Sequence, residues 1–257
     1  MKSPFPPDVI EAFRQHAVEA FPQECVGVIT ASGYERLVNR HPDPTRFFDA
    51  GEEVDVRIAG GEILALCHSH NLDTGLDHPS VEDQRGQIAS GIPWGLCIVQ
   101  HGLADEPFFW GAGIADGVPL MPRDWRWGPT GTDGRGDCFS LIQDWYREHQ
   151  GLRLPDQARD GNWERENPGQ YEQGWRDLHF TPIVERDLQV GDLILVSVRF
   201  GGRANHGMIY LGGDTVLHQA QNRLTVRESY GFWRRAQVVL LRPPSVEKAI
   251  ELGWQKA

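Results

Sequence analysis

Long apolar runs are missing from this chain. No stretch reaches the roughly 18 apolar residues that a membrane-spanning helix needs. The opening residues Met1-Lys2-Ser3-Pro4-Phe5-Pro6-Pro7 also lack the apolar core of an export signal, so the expectation is a protein with no membrane span and no obvious signal peptide. Basic residues are scarce as well: 25 Lys and Arg face 36 Asp and Glu, a formal net charge of -11. A general nucleic-acid binder needs clustered Lys and Arg for its phosphate contacts, so no nucleic acid is expected as partner, whereas a peptide substrate remains open. Cysteines number only four, and Cys25, Cys67 and Cys97 lie inside apolar strand-like runs where the thiol acts as a small hydrophobe. With Cys138 as the fourth, a disulfide framework is not expected. Internal repeats are absent. What the chain does have is 40% hydrophobic and 24% charged residues over 257 positions, enough for a sizeable core in one large domain or two ordinary ones.

The apolar run Glu62-Ile63-Leu64-Ala65-Leu66-Cys67, bounded by Gly60-Gly61, reads as a buried strand with two histidines at its end. Residues i and i+2 of a strand share a face, so His68 and His70 can present both imidazoles to one divalent ion while Ser69 faces away. A third ligand has to come from elsewhere. Pro79-Ser80-Val81-Glu82-Asp83 looks like a helix start, and Asp83 in its first turn can point back to the strand. Three protein ligands leave a position open for water, the pattern of catalytic zinc. Two bland readings stand beside this one: Ser80 with Asp83 is also a capping box, and a lone His-x-His arises by chance. Glu24, opening the apolar run Cys25-Val26-Gly27-Val28-Ile29, is placed either as the base that takes a proton from water at such an ion or as a solvated strand-edge carboxylate.

Together these residues resemble the JAMM (MPN-plus) metalloprotease family, whose pattern is an upstream Glu, then His-x-His, then Ser and Asp separated by two residues. Glu24, His68, His70, Ser80 and Asp83 match it one by one. The resemblance implies a Zn2+ held by His68, His70 and Asp83, and gives Ser80 the task of helping to stabilise the oxyanion. The chain departs from the pattern in two places. Nine residues separate His70 from Ser80 where seven is commonest in the family, and Asn71 stands where Pro is usual. The longer loop keeps Asp77 and His78 as rival ligands.

Asp8 to Phe21 carries Ile10, Phe13, Ala17 and Phe21 at helical spacing after Pro6-Pro7, and predicts an amphipathic helix. Strand-like runs follow at 25 to 30, 34 to 39, 62 to 67 and 94 to 100, with a helix over 80 to 90 ended by Gly91. From Gly111 to Gly136 no periodicity survives, and the stretch reads as a linker plus a loop approaching an active site, with Trp125 and Trp127 packing on something. A helix is expected from Asp137 through Tyr146 to near Gly151. Residues 152 to 182, with Trp163, Tyr171 and Trp175, stay unassigned. Strands are expected over Asp192 to Val198, His206 to Leu211, Thr215 to Gln219 and Gln237 to Leu241, a helix followed by an antiparallel sheet.

Cys138 stands at a helix N-terminus, where the macrodipole and free amides favour a thiolate nucleophile; the alternative is a buried cysteine on the helix's apolar face. His206 is the candidate base, with His218 twelve residues on to orient it, and Gly212-Gly213 signals a hairpin between them. An odd turn such as 211 to 213 sets 206 opposite 218 on one face, whereas a two- or four-residue turn sends the two histidines to opposite faces. These residues resemble the NlpC-type cysteine endopeptidases, a compact papain-like family that cleaves short bacterial cell-wall peptides. The match runs over Asp137-Cys138-Phe139-Ser140-Leu141, Gly191-Asp192-Leu193 and His206-Gly207-Met208-Ile209-Tyr210, with His218 as the third polar residue. An oxyanion hole at the amides near Cys138 is implied.

The order of the two patterns resembles the tail assembly protein K family of long-tailed phages. That resemblance implies an α+β chain: an α/β JAMM-like domain with a cytidine-deaminase-like sheet at 1–112, a linker at 113–130, a papain-like NlpC-type domain at 131–245 and a tail at 246–257. It implies peptidase activity at the tail tip, a cysteine site cutting peptidoglycan stem peptides and a zinc metallopeptidase site. The expected partners are other tail-tip proteins and a peptidoglycan peptide, and the expected location is the host cytoplasm during assembly and then the virion tail tip. A structural tail-tip component with vestigial or masked sites is the alternative.

Overall fold

The computed structural model describes residues 3–162, 169–198 and 202–257, and Trp163 lies outside them. The chain divides into two units, Met1–Val118 with Thr130–Gly134, and Pro119–Pro129 with Arg135–Ala257.

In the first unit, helix α1 (Pro7–Ala20) begins on a proline, whose fixed φ suits the first helical turn. Its Val9, Ile10, Phe13 and Ala17 pack on Cys25, Ile29, Cys67, Cys97 and Val99. Each such apolar side chain contributes about 1.5–3 kcal/mol by leaving water. The sheet beneath runs β2-β1-β3-β4-β5, with β6 also on β4. Its strands are β1 (Val26–Thr30), β2 (Gly33–Leu37), β3 (Ile63–Asn71), β4 (Trp94–Gln100), β5 (Leu103–Ala104) and β6 (Phe108–Trp110). β3 and β4 are parallel, so the chain between them has to cross over, and helix α3 (Val81–Ser90) makes that crossing. The other face of the sheet carries Val26, Val28, Leu66, Leu96 and Ile98, packed with Val54 of helix α2 (Glu52–Ala59). Strand alternation therefore sets the three cysteines on the α1 side and His68 and His70 on the opposite side. All four cysteines are free thiols.

Gly86 lets the Trp94 ring lie on α3: a Cβ there would come within 2.5 Å of the ring. Gly86→Ala should therefore lose about 1–3 kcal/mol by overpacking, instead of gaining the roughly 1 kcal/mol that Ala brings to an open helix site. A urea unfolding series reads the sign directly.

In the second unit, helix α4 (Cys138–Gln150) is capped by Asp137 and ended by left-handed Gly151. It packs Phe139, Leu141, Ile142, Trp145 and Tyr146 on Leu193, Leu195, Ile209, Leu217 and Leu241. The antiparallel sheet runs β10-β15-β11-β12-β13-β14. Before it come β7 (Asp124–Trp125) and β8 (Arg135–Gly136), which pair in parallel, then β9 (Leu152–Arg153) and helix α5 (Gln170–Asp177). The sheet strands are β10 (Thr181–Ile183), β11 (Leu193–Val196), β12 (His206–Gly212), β13 (Thr215–His218), β14 (Val226–Ser229) and β15 (Gln237–Arg242). Helix α6 (Val246–Glu251) and β16 (Gln255–Lys256), which pairs with β9, close the chain. The stretch left unassigned from sequence thus holds β9, α5 and the start of β10.

Candidate active sites

β3 continues through Asn71, four residues past the Cys67 end that the apolar run predicts, so His68 and His70 stand within the strand. Ser69 faces the other way and accepts the Cys25 amide at 2.8 Å. β1 and β3 pair with Val26 opposite His68, and extending that register two residues beyond the strand start brings Glu24 opposite His70. Asp83 comes from α3. Its Nε2 contacts are 3.4 Å to His68 and 3.2 Å to His70, one on each carboxylate oxygen. Ligand atoms of these three residues all lie within 4.8 Å of one another.

The capping box and the contacts to the two histidines belong to the same carboxylate. Asp83 Oδ2 accepts the Ser80 amide at 2.7 Å while Ser80 Oγ accepts the Asp83 amide at 3.0 Å. The cap fixes the carboxylate's direction, and that direction is toward the histidines. Ser80 keeps its own O–H to donate, and it lines a cavity of about 1060 Å³ together with Glu24, His70 and Asp83. The rivals Asp77 and His78 stand outside the cluster, paired to each other at 2.7 Å.

Three observations fit a cation here. Neither ring nitrogen of fully buried His68 makes a well-formed hydrogen bond, Nε2 standing 3.4 Å from Asp83, and metal coordination would give Nε2 a full partner. His70 Nδ1 is 3.1 Å from the Leu76 carbonyl, so it donates there and turns the Nε2 lone pair inward. Against burial, which pushes it up, the His68 and His70 rings hold the Asp83 carboxyl well below the usual range. Glu24 is 4% exposed, and burial, with Asp83 adding and His70 opposing, pushes its carboxyl up to about 7. A solvated strand-edge carboxylate is therefore not what the fold makes of Glu24.

Cys138 is the first residue of α4, where Asp137 and Ser140 form a second capping box. Arg159 holds Asp137 in a bidentate pair of 2.7 and 3.0 Å. Cys138, His206, Tyr171, Trp125 and Trp127 line one cavity of about 320 Å³, and the two tryptophans pack edge to face on each other. Within this cavity the sulfur's partners are the Tyr171 hydroxyl at 3.7 Å and the Gly207 amide. The thiolate expected at a helix N-terminus is not the resting state: burial and Asp137 push the thiol up to about 11.

The hairpin departs from the expected turn. β12 ends at Gly212 and β13 begins at Thr215, leaving Gly213 and Asp214 as a two-residue turn with φ of 57° and 62°. Such a turn alone separates the two histidines onto opposite faces. A bulge between Tyr210 and Gly212 restores the parity, because below it Ile209 faces Leu217. His206 is therefore diagonal to His218 on the same face instead of directly opposite. His206 Nε2 lies 3.0 Å from His218 Nδ1, and His218 Nε2 reaches Glu228 Oε1 at 2.5 Å. Burial, helped by His218, pushes His206 down to about 3.

That shift has an acid-stability consequence. An unfolded His206 takes up a proton near 6.5 and the native one does not until about 3, so its contribution is intact above 6.5 and is lost between 6.5 and 3. Wild type should lose about 1.4 kcal/mol per pH unit more than His206→Gln over that window. Urea midpoints across a pH series measure it.

Residues 122–242 match the NlpC/P60 family, and residues 6–112 match prokaryotic homologs of the JAB domain. Tail tip assembly protein K of Escherichia phage lambda is 30% identical over 179 residues, 68% of this chain and 79% of that protein. The chain belongs to the tail tip assembly protein K family. The protein of that name from Escherichia phage N15 is 29% identical over 249 residues, 91% of this chain and 93% of its own. Among solved structures, NlpC2 from Trichomonas vaginalis aligns with a TM-score of 0.35 at 17% identity, over 53% of this chain and 43% of that one. A K-family chain thus carries a JAB-like and an NlpC/P60 domain, each mixed α/β, and the second implies a cysteine peptidase or related hydrolase. Among the described residues no helix is long and apolar enough to cross a membrane.

Glu228 and Tyr171 escaped the sequence reading. Glu228 sits in the polar segment Val226-Arg227-Glu228-Ser229, with no apolar alternation to mark it as a strand. Tyr171 falls in the stretch left unassigned.

Proposed function

We propose that this chain is a tail-tip assembly protein whose cysteine site cuts peptidoglycan stem peptides, at the bond between γ-D-glutamate and diaminopimelate. The observation that carries this reading is Cys138 at the first turn of α4, in one cavity with a His206 that is itself bonded to His218. In the reaction His206 takes the thiol proton as Cys138 sulfur attacks the amide carbonyl carbon, and amides at the start of α4 receive the oxyanion. The proton then passes to the departing amine, the C–N bond breaks, and water hydrolyses the thioester to release the acid and restore the thiol.

The first unit has the donors for a metallopeptidase. His68, His70 and Asp83 would hold a divalent ion, and two imidazoles with one carboxylate suit zinc. The ion would supply Lewis acidity to a scissile carbonyl. Glu24, with its carboxyl near 7, can accept or return a proton at neutral pH, and Ser80 can donate its O–H to an oxyanion. Other tail-tip proteins are the proposed partners and, with cell wall, the proposed substrates of this unit.

A second reading, of a tail-tip component with masked sites, draws on the Tyr171 hydroxyl at the sulfur and on the 8% exposure of Cys138. Incubation of purified muropeptides with the full chain separates the two. Cleavage supports the peptidase, and intact muropeptides at every zinc concentration support masking.

A further inference from the structure

The His206–His218 pair ends on a group outside the matched triad. Glu228 lies on β14 opposite Val216, on the same sheet face as both histidines. Its Oε1 receives the Trp233 indole N–H at 2.9 Å and meets His218 Nε2 at 2.5 Å. Indole nitrogen can only donate, so Glu228 Oε1 is an acceptor at that contact. A carboxylate with no hydrogen to give makes His218 Nε2 the donor as well. Burial keeps both imidazoles below their usual pKa, so at neutral pH each ring carries one proton. His218 Nδ1 is then an acceptor, and His206 Nε2, 3.0 Å away, is the donor. The lone pair of His206 is left on Nδ1. The Trp233 ring packs on both imidazoles, at centroid distances of 6.0 Å and 5.0 Å, and shields the run of hydrogen bonds from water.

We propose that Glu228 is a positioning residue of the cysteine site: through His218 it fixes His206 as the Nε2–H tautomer and reserves Nδ1 as the base for Cys138. The proposal rests on the peptidase reading for its purpose but not for its test. A Leu at 228 would offer His218 Nε2 no acceptor, so nothing would fix the direction of the hydrogen bond between the two rings.

The test uses full-length protein with 15N-labelled histidine at pH 7.5. Long-range 1H–15N correlation spectra report the tautomer of His206, and mass spectrometry reports the rate at which iodoacetamide alkylates the peptide containing Cys138. Wild type should show His206 protonated on Nε2 alone. Glu228→Leu should mix the two tautomers and slow alkylation of Cys138 at least about tenfold. A wild-type His206 protonated on Nδ1 overturns the proposal without recourse to any variant, and so does a Glu228→Leu protein with the wild-type tautomer and alkylation rate. If wild type shows the expected tautomer and Glu228 dependence but leaves muropeptides intact, the peptidase reading fails and the relay stands.

Discussion

Cys138→Ala is expected to reduce muropeptide cleavage by roughly ten-thousand-fold or more, to the level left by binding alone, because among the described residues no second thiol and no Ser or Thr hydroxyl lines its cavity. His68→Ala should leave the same cleavage within about twofold, since the two clusters share no residue and each sits in its own unit. The assay is chromatography of muropeptides with time, run with and without a chelator. Equal losses in the two variants would mean that the sites are not independent. The buried thiol, held protonated to about 11, adds a condition: activity needs His206 to work as a base, so His206→Ala should fall close to Cys138→Ala.

The second large effect belongs to the metal cluster. Wild-type protein dialysed against zinc is expected to retain one equivalent, and Asp83→Asn to bind at least about a hundredfold more weakly. Asn can still accept the Ser80 amide, so its stability in chelator should stay near wild type. Asp83→Ala removes the cap as well and should cost about 1 kcal/mol even without metal. Elemental analysis together with thermal unfolding in chelator separates the two roles of this residue. If Asp77→Ala and His78→Ala abolish zinc retention while Asp83→Asn does not, the assignment of ligands is wrong.

How much of this was legible in the sequence depended on how local the signal was. Helix α1, the strand at Val26 and the helix ending at Gly91 follow from apolar spacing and end signals that act within a few residues. The choice of Asp83 over Asp77 and His78 needed the fold, because only the helix cap shows which way the carboxylate points. Capping box and ligand looked like competing readings of Ser80-x-x-Asp83, and in the structure the capping carboxylate is the one that also reaches both histidines, so the two readings are compatible. The histidine hairpin carries the same lesson in reverse. Gly212-Gly213 marked the turn, but the face shared by His206 and His218 depends on a bulge between Tyr210 and Gly212 that no residue in the sequence announces. Glu228 was hidden because an edge strand with polar side chains lacks the alternation that reveals buried strands. The Cys138 thiol went the other way from its helix-terminus expectation, since burial and Asp137 outweigh the macrodipole.

The central claim is that the cysteine site of this K-family chain hydrolyses peptidoglycan stem peptides, and mass spectrometry of purified sacculi digested with wild-type protein tests it most directly. The account predicts fragments with a new amino terminus on diaminopimelate, present in chelator and missing from a Cys138→Ala digest. Intact stem peptides from the wild-type digest, or the same fragments from Cys138→Ala, would contradict it.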